Sequence, residues 1–361
     1  MDLDALPRAW WTRWRNESMC AMSLFRRSRT SATAAVVHPV IGFWEWWNSE
    51  GHTVDPTKLS SMTDQLSSRV DAINEGLAWH FSAGSESEHR LTVSGAGVAE
   101  LRPLAARWLR AAPPANATWE FRASQEADPR ALTNVLAIAG ESLDLSATRF
   151  HIESDSDDLR LDVGVFHPNF FNLPSDGRMQ VIFLVLDWLL GEDDVERWVG
   201  NVEALVDAAD ANQNGADVIE AVASIRRRQD PDEWTLAQWE DEPGAPGIAS
   251  FRRALRWVDH PTLDAHNVIR ASYTPQENGL PLDTAELESL RALEAELEER
   301  LNGLGILVGH VSRVGHRTFH VYTDSEDQNA GAHLVEWASL RRVELETTRD
   351  PAWRNVRHFT G

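Results

Sequence analysis

From Val268 to Thr347 the spacing of apolar residues switches between two periods, and few folds satisfy the resulting order. Val268–Tyr273 alternates as a strand does. Leu287, Leu290, Leu293, Leu297 and Leu301 then recur at helical spacing. Two alternating stretches meet at Val314-Gly315, Ala330–Leu340 is helical again, and Val343–Thr347 returns to alternation. The order is βαββαβ, which predicts an α+β, ferredoxin-like domain with both helices on one face of a four-stranded antiparallel sheet.

The ends of the first helix are marked. Asp283 stands at the N-cap with Glu286 three residues on, in the pattern of a capping box. Asn302-Gly303 supplies the stop. Glu288, Glu294, Glu296, Glu298 and Glu299 occupy the helix surface left by the leucines. In the hairpin, residues two apart share a face. His316, Thr318, His320 and Tyr322 therefore point one way, and Arg317, Phe319 and Val321 the other. Phe319 and Val321 are the natural core side, which leaves the histidine side as an open sheet face. The register around Val314-Gly315 does not settle whether His310 joins it. No carboxylate of known register orients these rings, as a metal site requires, so no metal and no cofactor are expected.

Earlier in the chain, Phe43, Trp44 and Trp47 fall on one side of a helical turn in FWEWW, a pattern that packs as core. Met62–Gly76 reads as helix, Leu77–Ser82 and His89–Ser94 as strands, Val98–Leu109 as helix, and Trp119–Phe121 as strand. A similar order follows: helix at Arg130–Ala139, strands at Thr148–Glu153 and Leu159–Phe166 around an acidic turn with Asp155, Asp157 and Asp158, a buried helix at Met179–Leu190, and a strand at Trp198–Val206. Two αββαβ units are thus expected, without residue-level identity between them. The domain reading is a disordered or mis-started tail over 1–40, an α+β domain over 41–210, a helical and Pro/Gly-rich linker over 211–262, and the ferredoxin-like domain over 263–361. The tail carries six arginines with Trp10, Trp11 and Trp14, and its second reading is a membrane-surface segment.

The formal net charge is −22, and Lys58 is the sole lysine. A field of that sign repels phosphate backbones, so the main body is not expected to bind nucleic acid, and it favours partners with basic surfaces. No apolar run is long enough to span a bilayer. One cysteine, Cys20, allows no intramolecular disulfide and fits a reducing cytoplasm.

Two loops imitate ligand sites. Asp210-Ala-Asn-Gln-Asn-Gly215 begins like a calcium loop, but its twelfth position is Ala221, so a solvated turn is expected. Gly95-Ala-Gly97 follows a strand and precedes a helix as phosphate loops do, but Glu100 stands where the third glycine belongs. No HExxH, nucleophile elbow or Walker loop occurs, and no catalytic residue is singled out.

The stretches ENGLPLDTAELESLRALEAELEERL, GILVGHVSRVGHRTFHVYTD and RDPAWRNV together resemble the C-terminal domain of a bacterial domain-of-unknown-function family of the 695 type. That family is often grouped with regulator of ribonuclease E activity protein B. The resemblance rests on Gly279-Leu-Pro281, Val308-Gly309, Gly315-x-Arg317-x-Phe319, Tyr322 and Asp350-x-x-Trp353. FWEWW, LTVSGAG and GEDDVERWVG also look like longer members of the family. The resemblance implies a ferredoxin-like domain that acts by contact with a protein partner and performs no chemistry, and it carries over no functional residue. The leading expectation is a non-catalytic acidic protein that binds and modulates a partner with a basic surface. Its candidate contact residues are His316, Arg317, His320 and Tyr322 on the hairpin, and Glu294, Glu298 and Glu299 on the helix. The alternatives are a hydrolase with a site between domains, and an immunity or antitoxin protein that neutralises a basic toxin.

Overall fold

The computed structural model describes residues 38–58, 61–138, 140–154, 159–230, 232–240 and 246–360. The expected tail, for its first 37 residues, and the acidic turn at Asp155, Asp157 and Asp158 lie outside them. The chain forms two compact units, the first running to Ile219 except for Ser154–Leu161, and the second comprising Ser154–Leu161 and Glu220–Gly361.

In the first unit, α1 (Pro39–Ser49) buries Phe43, Trp44, Trp46 and Trp47. Behind it follow α2 (Ser61–Ile73), β1 (Ala78–Ala83), β2 (His89–Ser94), α3 (Arg102–Arg110) and β3 (Trp119–Arg122). The three strands form a sheet in the order β1-β2-β3, with the β2–β3 pair parallel. Its core is aromatic. Trp44 stacks on Trp108 at 4.8 Å, and Trp47 meets Trp119 edge-on at 5.0 Å. Trp44 Nε1 donates to Trp108 O at 2.8 Å, so that buried indole keeps a polar partner.

The first αββαβ order is therefore as expected. The second differs at its start. Of the expected helix Arg130–Ala139, the described part to Ile138 is not α-helical: a 3₁₀ turn over Pro129–Thr133 leads into β4 (Val135–Ile138), which pairs with β5 (Glu141–Asp144). Leu136 and Ile138 are buried while Val135 and Ala137 are exposed, a period of two that fits a strand. β6 (Arg149–Glu153), β7 (Leu161–Phe166), α4 (Ser175–Leu190), α5 (Glu192–Trp198) and β8 (Val199–Ala204) complete the unit, with strand order β6-β7-β8. The two halves thus repeat a strand order without repeating residues.

In the second unit, α6 (Gly215–Arg228), which begins in the first, leads to β9 (Trp234–Glu240), β10 (Pro246–Arg252), β11 (Ala265–Ser272), α7 (Thr284–Leu301), β12 (Gly305–Arg313), β13 (His316–Thr323), α8 (Gln328–Arg341), β14 (Glu344–Arg349) and the short α9 (Arg357–Thr360). The sheet order is β14-β11-β13-β12-β10-β9. Its first four strands have the ferredoxin-like arrangement that the period pattern implies. The expected linker over 211–262 is corrected in part: β9 and β10 extend the sheet to six strands. They pair through Gly247↔Trp239 and Phe251↔Thr235, and β10 joins β12 through Ser250↔His310 and Phe251↔Gly309.

Local chemistry sets the ends of α7. Asp283 Oδ1 accepts the Glu286 N–H at 3.0 Å, as a cap should. The reciprocal half of the capping box is replaced, because Glu286 Oε1 accepts the Thr274 N–H at 2.7 Å and ties the helix to the preceding loop. The β12–β13 turn places Val314 at φ +50° and Gly315 at φ +78°, the left-handed pair that a two-residue hairpin needs. Glycine meets this freely, but a β-branched valine does not. Val314→Asn should therefore raise the stability of this unit by about 1 kcal/mol, read as an increase in urea midpoint at unchanged slope.

The central strands of the sheet pack on both faces. On one, Ile269, Leu290, Leu297, Leu307, Phe319, Val321, Leu334 and Trp337 form a core under α7 and α8. On the other, Phe251, Val308 and Tyr322 pack against Trp353, Val356 and Phe359 of the C-terminal segment. The histidine side of β13 is therefore covered at Tyr322 and half-covered at His320, while His316 at its far end stays exposed, so the expected open face is corrected in part.

Candidate functional site

The added hairpin extends beyond the cover of α7 and leaves a groove of about 730 Å³ between helix and sheet. That volume is within the range of ligand sites. One wall is the helix, through Leu287, Arg291, Glu294 and Glu298, and the other is Trp234, Leu236, Ile248 and Ser250 of the hairpin. Leu280 and Pro281 lie at one end, and His310, Ser312 and Arg317 belong to the sheet floor. Leu236 is 72% exposed. Arg252 lies over the Trp234 ring at 5.2 Å and reaches Glu298 Oε1 at 3.1 Å, which fixes that rim.

Beneath the rim the floor is polar. The Arg317 side chain is 6% exposed. Its Nε donates to Ser312 Oγ at 2.9 Å, and its Nη1 stands 3.6 Å from Glu294 Oε2. The same oxygen lies 3.1 Å from His310 Nδ1, at ion-pair distance but out of hydrogen-bond alignment. Burial lowers the Arg317 pKa, and the Glu294 charge opposes the shift. The arrangement can hold a polar group of a ligand whose apolar parts lie along the walls. Among the described residues, no group of three His, Cys, Asp or Glu side chains could hold a metal ion.

The seven candidate residues separate. Glu294, Glu298 and Arg317 line this groove. Glu299 is exposed on α7 away from it. His316, His320 and Tyr322 lie on the opposite face of the sheet. His316 is exposed near Ser272, with Oγ to Nδ1 at 3.3 Å. Tyr322 is fully buried and stacks on Trp353 at 4.4 Å, while its hydroxyl donates to Asp350 Oδ2 at 2.7 Å. Burial, with Asp350 alongside, pushes its pKa up. Tyr322 thus belongs to the cap. His310 pairs across to Phe319 and so takes the α7 side, which separates it from His316 and His320.

His320 lies in a chain of rings. Asn355 Nδ2 donates to His266 Nδ1 at 3.2 Å, which leaves the His266 proton on Nε2 to bond His320 Nδ1 at 3.1 Å. Burial lowers the His320 pKa to about 3, reinforced by His266, His358, Arg270 and His310. Burial likewise lowers His266.

The groove's hairpin wall was missed by sequence reasoning, although a signal existed. Trp234, Leu236 and Gln238 alternate with Thr235, Ala237 and Trp239, but the proline-rich turn beside them gave the whole stretch the look of a linker. In the first unit, the Gly95-Ala-Gly97 turn already has an internal anion: Glu192 Oε1 accepts the Gly97 N–H at 2.9 Å and Oε2 the Gln125 N–H at 3.2 Å. Glu192 also lies 3.3 Å from Arg102 Nη1. That carboxylate sits where a phosphate would need to bind. In the calcium-like loop, Asn214 and Asp217 are used in helix-start turns, with the Asn214 side chain accepting from Ala216 N–H at 2.8 Å and Asp217 accepting from Asn214 N–H at 2.8 Å.

The second unit is a ferredoxin-like domain enlarged by an N-terminal hairpin and closed by a C-terminal cap, with a helix–hairpin groove as its candidate site. A family model described as a family of unknown function (DUF695) matches residues 247–359, from β10 to α9. FWEWW, LTVSGAG and GEDDVERWVG lie outside the match. No curated protein matches the sequence. Among the described residues, no helix is long and apolar enough to cross a membrane.

Proposed function

We propose that the protein binds an extended segment of a protein partner in the helix–hairpin groove and modulates that partner by contact, a role like that of a ribonuclease regulator. The observation that carries this reading is the groove itself: open, with apolar walls of Trp234, Leu236, Ile248, Leu280 and Leu287 above a buried polar floor. Such a site suits a chain segment that alternates apolar and polar groups. The net charge of −22 favours a partner with a basic surface and disfavours nucleic acid. The lone Cys20 is compatible with a cytoplasmic setting.

The test is selection of peptides from a displayed library on the full chain, followed by affinity measurement. Leu236→Asp, at an exposed wall position, should weaken the selected peptides at least tenfold. Val335→Asp, at an exposed position on α8 that does not line the groove, should leave them unchanged. Peptides indifferent to Leu236→Asp, or none enriched over an unrelated acidic protein, would refute the reading.

A further inference from the structure

The floor of the groove contains an incompletely satisfied cation. Arg317 is almost wholly buried, yet its only hydrogen bond among the described residues runs from Nε to Ser312. Nη1 is beyond hydrogen-bond distance of Glu294 at 3.6 Å, and Nη2 has no partner among the described residues. The side chain lines the groove. A buried guanidinium has lost its water shell, so N–H groups left unpaired are costly until something fills them. The nearby anions are largely committed. Glu294 is shared between Arg317 and His310, Glu298 is paired with Arg252, and Asp283 caps α7. Arg291 also lines the groove, close enough to act on Arg317, and has no ion-pair or hydrogen-bond partner among the described residues.

Resting on the binding reading above, we propose that Arg317, assisted by Arg291, is a carboxylate seat, and that the groove's occupant is a peptide segment with one carboxylate beside apolar side chains. The planar fork of a guanidinium presents two parallel donors to the two oxygens of a carboxylate. Two arginines opposed by the shared Glu294 favour a single negative charge over the double charge of a phosphate. The apolar walls then select what flanks it: Trp234 and Leu236 on one side, Leu280 and Leu287 on the other. The protein's overall negative field works against free anions in solution, so recognition depends on carboxylate and apolar groups arriving together.

The probe is 3-phenylpropionate, compared with 3-phenylpropionamide, which has the same shape without the charge. Both are titrated into the full chain by NMR, following the Trp234 indole N–H and the Arg317 Nε–H. The acid should bind at least tenfold more tightly than the amide. Arg317→Gln should abolish that difference, with folding checked by the urea midpoint, and Arg291→Gln should reduce it two- to threefold. If Arg317→Gln fails to fold, the acid-against-amide comparison on the unaltered protein decides. Equal binding of the two probes, or no shift with the acid, overturns the seat. Selected peptides separate the sources of the carboxylate. Peptides that bind but are insensitive to amidation of their carboxylates refute the seat and leave the groove reading standing. A bound acid with no enriched peptide supports the seat and refutes a protein partner in favour of a small carboxylic acid.

Discussion

Trp353→Ala should cost the second unit about 3–5 kcal/mol, the range for deleting a buried tryptophan from a packed core. Trp353 is 1% exposed, stacks on Tyr322, lies parallel to His260 at 5.8 Å, and donates from Nε1 to Leu263 O at 2.8 Å. It also holds φ +49°, a conformation kept only because its surroundings demand it. Beside it, Asp350 accepts from the Tyr322 hydroxyl, from Arg354 N–H at 2.8 Å and from Asn355 N–H at 2.9 Å. The substitution removes the apolar centre of the cap while leaving these polar groups in a loosened site. Small domains have only about 5–15 kcal/mol in hand, so the variant should melt early or unfold. Urea denaturation followed by the near-UV signal of the second unit is the measurement, and a loss under about 1 kcal/mol would show that the cap contributes little to the sheet's stability.

Acid should weaken the same unit well before its carboxylates titrate. His320 has a folded-state pKa of about 3 against an ordinary 6.5. The unfolded chain therefore binds the proton first as pH falls, and stability declines from about pH 6.5 downward. One such histidine removes about 2 kcal/mol between pH 7 and pH 5. His266 shifts in the same direction, moderated by Asp350 and Glu346. The geometry gives the reason, because a proton added to His320 Nδ1 would face the Nε2–H of His266. Urea midpoints at pH 7, 6 and 5 should fall together with uptake of about one proton on unfolding from this site, and His320→Gln should flatten that slope. A His320→Gln variant with the same pH dependence as the parent would remove this pair as its cause.

Much of the second unit could be read from the chain because its strands and helices each bury one side under α7 and α8. Leu290, Leu297, Phe319 and Val321 follow their periods and lie where those periods place them. The opposite face was misread because periodicity shows which residues share a side and is silent on what covers it. His320 and Tyr322 alternate correctly, but nothing local to β13 says that residues some thirty positions later, Trp353 and Phe359, return to cover them. The motif Asp350-x-x-Trp353, which carries the family resemblance in the sequence, has the physical role of fastening this return. Arg130–Ala139 failed differently. Its alanines and leucines favour helix, but burial of alternate residues against β5 outweighed that preference. Of the candidate site, the sequence yielded Glu294, Glu298 and Arg317 individually. It could not assemble them, because the wall that makes them a groove comes from a hairpin placed by long-range pairing.

That hairpin joins the sheet beside Gly309, where the β12–β13 register shifts between Leu307 and Gly309. A methyl group there would lie 2.6 Å from both Phe251 Cβ and Ser250 O. Room for a single hydrogen atom thus decides whether the outer two strands can dock at all. The proposed recognition surface thus depends on a position outside the groove, and a screen for lost binding should recover substitutions there as readily as substitutions in the groove.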